Sequence, residues 1–175
     1  MSFLHTNTLI EILRARLASL PLDPALEGGE RLFQRVAVFG ANGLAEAMKA
    51  TFASEQRLAF IVPVGDAYTG ERSRTVLFSQ RSTSLVVLLA DRAYNQVTAE
   101  AVVGGPNAIG ILAMKDRVVD NLTEVAFATA DLSFNPGEGE PLVIEPEQRS
   151  AGSLGRECWA QRFTIYAGEI RLAIP

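Results

Sequence analysis

The sequence is poor in the residues that chemistry uses most often. It holds one cysteine, Cys158, and one histidine, His5, in 175 residues. A lone thiol cannot close an internal disulfide, and a lone imidazole cannot build a histidine metal site. Asp and Glu are scattered, without the density of a hard-cation cage. Glu138, Glu140, Glu145 and Glu147 come nearest, in a loop and strand where solvated charge is the default. An excess of basic residues is missing too. The net charge is −4 and the pI near 5.1, against the basic footprint of a general nucleic-acid binder. No apolar run reaches the roughly 18 residues of a membrane span, and the longest, Leu85–Ala90, is strand-sized. The opening MSFLHTNTLIEIL lacks a basic n-region and a cleavage site. These absences predict a cytosolic protein with no disulfide, no metal, no membrane and no sequence-specific nucleic acid.

What is there reads as an ordinary globular domain. Hydrophobic residues make up 48% and charged residues 21%. One domain over residues 1–175 is long enough to bury about 70% of its unfolded surface. Thr8 and Glu11 match a capping box, and Leu9, Leu13, Leu17 and Leu20 give one helical stripe that Pro21 ends. Residues 31–66 read as strand, glycine-punctuated turn, helix and strand. Val36 and Val38 alternate, Gly40 and Gly43 bracket a turn with Asn42 as a helix cap, and Leu44, Met48 and Phe52 recur at helical spacing. Leu58, Phe60, Val62 and Val64 then return to period 2, with Pro63 marking an edge strand or a bulge.

Gly65–Arg74 (GDAYTGERSR) is polar and reads as a mobile loop, followed by strands Thr75–Gln80 and Thr83–Arg92 joined through Arg81-Ser82. The second is apolar on both faces, as in the centre of a covered sheet. Ala93–Val103 and Thr123–Leu132 carry no clear pattern. Asn107 is placed to cap a second long helix, with Ile109, Leu112, Val119 and Leu122 inward and Lys115, Asp116 and Asp120 outward. Ser133–Glu140 (SFNPGEGE) is a loop by composition. Pro141–Gln148 reads as a strand that turns through Arg149–Gly155 into Glu157–Leu172, the longest strand signal. There Trp159, Gln161, Phe163 and Ile165 take one face, and Gly168 bends or bulges it.

Each chemical motif has a plainer reading. A G-x-G-x-x-G turn read through Gly40 and Gly43 places its first glycine on Val38. Asp66 lies farther on than the usual ribose-binding acid, and the elements do not alternate β and α. The glycines at 104, 105 and 110 lack the Lys-Ser/Thr ending of a P-loop. Cys158 has no histidine near it in sequence, so a buried structural cysteine is the default. Trp159 and Phe163 read most simply as core, and as interface anchors if that face meets a neighbour.

Taken in order, LRARL, FQRVAVFGANGLAEAMKA, RLAFIVPVGDA, SLVVLLADR, AIGILAMKDRVVDNL, GEPLVIEPEQRSAG and ECWAQRFTIYAGEIR resemble the tail terminator (tail-completion) proteins of long-tailed bacteriophages and Mu-like prophages. The resemblance covers nearly the whole chain as an order of patterns. It departs after the second helix, where Thr123-Glu124 stand in place of Gly-Trp. It implies a non-enzymatic virion protein without cofactor that assembles as a homo-oligomeric ring, usually a hexamer. Such a ring caps the tail tube protein, stops polymerisation and offers its other face to the head–tail connector protein. It would act in the host cytoplasm during assembly and then in the virion tail.

The fold expected is α+β, a single domain with a mixed, largely antiparallel sheet of about five to six strands and two to three helices packed on it. The residues expected at tube or subunit contacts are Asp66, Tyr68, Glu71, Arg72, Arg74, Arg149, Arg156 and Trp159. Two other functions remain open from the sequence: a nucleotide-cofactor enzyme using the Gly40–Gly43 turn, and a ferredoxin-like protein-binding module.

Overall fold

The computed structural model describes residues 5–23, 25, 29–40, 57–72, 76–92, 100–105, 109–124, 132–142 and 156–173. Helix α1 (Thr6–Ser19) opens the described chain. Strands β1 (Arg35–Val38), β2 (Leu58–Arg72) and β3 (Val76–Arg92) follow, then a single helical turn, α2 (Glu100–Val103). Helix α3 (Ile111–Glu124), β4 (Leu132–Pro141) and β5 (Arg156–Ala173) complete the order. The five strands form one sheet in the order β1-β2-β3-β5-β4. β1 pairs with β2 in parallel and every other neighbour is antiparallel, so the sheet is mixed and largely antiparallel. With two long helices on it, the protein is α+β, as the sequence predicts. The Leu44–Phe52 helix, with Asn42 and Gly43, lies outside the described residues.

The core forms where period-2 strands meet the helical stripes. Ala59, Ile61, Leu85, Val87, Leu89, Phe163 and Ile165 face α1 and α3 and are all 1% exposed or less. Leu9, Leu13 and Leu17 of α1 and Met114, Val118 and Leu122 of α3 are 0% exposed. At roughly 2 kcal/mol for each fully buried aliphatic side chain, this seam is the largest favourable contribution to the fold. Arg16 Nε donates to Asn121 Oδ1 at 2.7 Å, tying the two helices along their polar rims, and Arg117 donates to the carbonyl of Leu22, just beyond the end of α1. The other face of the sheet is buried as well. Leu58, Phe60, Val62, Leu88, Ala90 and Cys158 cluster there, with Phe39 edge-on to Phe60 at 5.2 Å.

Several sequence expectations are corrected. The Thr8–Glu11 capping box does not form: the helix starts at Thr6, its cap position is His5, and no side chain caps it. Glu11 instead pairs with Arg14 at 2.7 Å. The second helix starts at Ile111, so its cap position falls on Gly110 and not on Asn107, which lies outside the described residues. Its most buried residues are Ile111, Met114, Val118 and Leu122, while Ile109, Leu112 and Val119 are half-buried flanks.

The expected loop at 65–74 is strand through Arg72, and the two strands expected at 75–80 and 83–92 are one strand, β3. Arg81-Ser82 is therefore no connection. It marks a register shift opposite Ala167 and Gly168, the bulge expected in β5. SFNPGEGE is likewise strand: β4 covers it, pairs with β5 and ends at Pro141, while most of the strand expected at 141–148 lies outside the described residues. β4 tolerates Pro136 and two glycines because it is an outer strand of the sheet, paired with β5 alone and bulged between Pro136 and Gly139.

Candidate functional site

The three longest strands run past the helices and form an arm. β2 pairs with β3 from Leu58 to Arg72, and β3 with β5 from Val76 to Arg92. β1 accompanies β2 only from Leu58 to Ile61. Residues 64–70 are all exposed, and since successive strand residues point to opposite faces, both faces of β2 are wet there. The arm begins at a bulge: Pro63 pairs with Leu85 and Gly65 with Ser84, leaving Val64 as the extra residue, 59% exposed. The proline thus sits where β1 has ended and its missing N–H costs no ladder bond on that side.

Asp66 fixes the root of the arm. Its Oδ1 accepts from Thr83 Oγ1 at 2.6 Å and its Oδ2 from Thr6 Oγ1 at 3.2 Å. Thr83 is 1% exposed, so the carboxylate satisfies a hydroxyl that has left water. The register places Asp66 opposite Thr83 and Thr83 opposite Ile165, on the face that α1 covers. One carboxylate therefore joins the first turn of α1, β2 and β3. Beside it Arg81, opposite Tyr68 on the same face, is buried to 5% exposure. Neither Thr6, Thr83 nor Arg81 stands out in the sequence, because each is an isolated polar residue whose role depends on strands distant in the chain.

The residues expected at contacts do not form one patch. Tyr68 lies on the arm, 62% exposed, and Glu71 and Arg72 end β2, where Arg72 pairs with Leu77. Arg156 starts β5 opposite Arg92, at the other end of β3. At about 3.3 Å per residue, the two ends lie roughly 50 Å apart. Arg72 is the last residue of β2 and Arg156 the first of β5. Arg74 and Arg149 lie outside the described residues.

Trp159 faces the helices, half-buried against the core. Lys115 Nζ stands over its ring, 5.5 Å from the centroid, and its Nε1 donates to Gln161 Oε1 at 3.3 Å. Gln161, 4% exposed, donates from Nε2 to the Gly137 carbonyl at 2.9 Å and so holds the β4 bulge. A Cβ on Gly139 would stand 2.3 Å from Gln161 Oε1, so the glycine makes room for this network. Glu138 and Glu140 are exposed on the same strand.

At the N-terminus of α3, the buried Asp91 accepts the Gly110 N–H at 3.0 Å. Gly110 has φ +86°, and a Cβ there would meet Gly104 N at 2.3 Å, so the turn into α3 requires glycine. Arg57, 8% exposed, pairs with Glu30 and donates from Nε to the Leu32 carbonyl at 2.9 Å. These are structural devices that anchor element ends.

The sheet bears on the thiol–imidazole pair. Cys158 packs on one face, while His5 precedes the helix on the other, so the sheet separates the thiol from the imidazole. Among the described residues, no three of His, Cys, Asp and Glu gather closely enough to hold a metal ion. Also among the described residues, no helix is long and apolar enough to cross a membrane. Compared with known proteins, the chain matches no family model and has no significant curated relative.

Proposed function

We propose that the protein is a tail terminator: a non-enzymatic virion protein that assembles into a ring, caps the finished tail tube and presents its other side to the head–tail connector. The observation that carries this reading is the separation of the polar strand ends. Glu71 and Arg72 end one side of a sheet whose other end begins at Arg156, with the helices packed between. A coupling protein needs two contact surfaces facing away from each other, and a long sheet supplies them without a second domain. The order of patterns along the chain, which resembles this family, supports the same reading. Ring closure requires heterologous contacts between subunits, and surface loops and strand edges that order on contact suit docking to a tube. The protein would act in the host cytoplasm during assembly and remain in the tail of the virion.

Co-sedimentation with purified tail-tube protein tests the partner. The reading expects the chain to pellet with assembled tubes in an amount set by the number of tube ends, not by tube length. Binding in proportion to tube length, or none, contradicts it. A thermal-shift panel with NAD(P) and nucleotides separates the enzyme alternative, whose signature is stabilisation lost in Gly43→Leu.

A further inference from the structure

We infer that the outer edge of β2 in the arm is a pairing edge for a second copy of this chain, joined antiparallel about a two-fold axis through Thr69. Beyond Ile61 no described strand lies on that side of β2, and residues 64–70 are exposed. An exposed strand edge offers a row of backbone donors and acceptors, which is a template for another strand. Proteins blunt such edges with proline or bulges, and here both sit at the root, at Pro63 and Val64. The stretch from Asp66 to Arg72 keeps an unbroken register with β3 and contains no proline.

The occupant follows from the sequence of that stretch, DAYTGER, which complements itself when reversed. An axis at Thr69 sets Thr69 opposite Thr69 of the second copy, Tyr68 opposite Gly70, and Asp66 opposite Arg72. Threonine pairs and opposite charges are favourable cross-strand neighbours, and an aromatic ring covers the gap beside a glycine. Moving the axis to Tyr68 sets Asp66 against Gly70 and Val64 against Arg72, which loses the charge pairing. Moving it to Gly70 puts two glycines on the axis, where they pack nothing. The pairing is isologous, uses the same residues on both copies, and does not rest on the terminator reading. So short a pair of strands falls below the size of a stable interface, so association is weak and is best read by trapping it.

Cross-linking of the full chain tests this. Thr69→Cys puts two thiols on the axis, with Cβ atoms about 5 Å apart, close to disulfide range. Ala67→Cys puts them well off it, displaced by roughly 13 Å along the strands. Both sites are exposed, and the native Cys158 is buried and can stay in place. Under mild oxidation and non-reducing electrophoresis, T69C is expected to give about tenfold more reducible dimer than A67C. Adding Arg72→Glu should cut that yield several-fold at low salt. Equal dimer from both single variants, or none from T69C while its circular dichroism matches the parent, overturns the pairing. Rings in negative stain without the T69C cross-link overturn the pairing and leave the terminator reading standing. Cross-linked dimers without rings do the reverse.

Discussion

Single residues secure the junctions of this fold, and two of them make sharp predictions. Gly110 combines φ +86° with a Cβ position 2.3 Å from a backbone nitrogen. Neither strain can be relieved by turning a side chain. Gly110→Ala is therefore expected to lower stability by roughly 2 kcal/mol or more, measured as a fall in the urea midpoint at unchanged slope. Asp66→Ala removes the acceptor of the buried Thr83 hydroxyl and should cost about 1–3 kcal/mol. Thr83→Val in the same background should recover part of that loss, because both partners are then apolar and nothing polar stays buried without an acceptor. If Asp66→Ala is neutral, the link at the root of the arm does not contribute to folding. Trp159 gives a local readout of the β4 bulge. Gly139→Ala should push Gln161 away from the indole and shift the fluorescence of this single tryptophan, with the far-ultraviolet circular dichroism preserved.

The helices and strands differ in how far local sequence specifies them. α1 was legible because Leu9, Leu13 and Leu17 repeat on one face and the same three residues are 0% exposed. Leu13→Ala should accordingly cost about 2–5 kcal/mol in chemical denaturation. The central strands were legible because Leu58, Phe60 and Val62 recur at period 2 and SLVVLLA is apolar on both faces, as a covered sheet demands. The arm was not. GDAYTGER has the composition of a turn, and it becomes strand only because β3 offers an unbroken row of partners from Leu77 to Ser84. Pairing between strands is a tertiary term that overrides local preference. SFNPGEGE was hidden for a related reason: its proline and glycines are tolerated at a bulge of an outer strand, a position that no local pattern reveals. The spacing of the expected contact residues was not legible: only the register shows that Glu71 and Arg72 lie at one end of the sheet and Arg156 at the other.

At the scale of the whole molecule, the sheet is longer than its helical cover. Among the described residues, the centre of the sheet is buried on both faces, and β2 runs on past it with residues 64–70 exposed. The central claim is that this shape serves a ring that ends a tube. Negative-stain imaging of tail-tube protein polymerised with and without the purified chain tests it most directly. The account predicts closed rings of the chain alone at high concentration, rings seated at tube ends, and tubes that stop growing once capped. Monomers at every concentration, with tubes of the same length in the presence and absence of the chain, would contradict it.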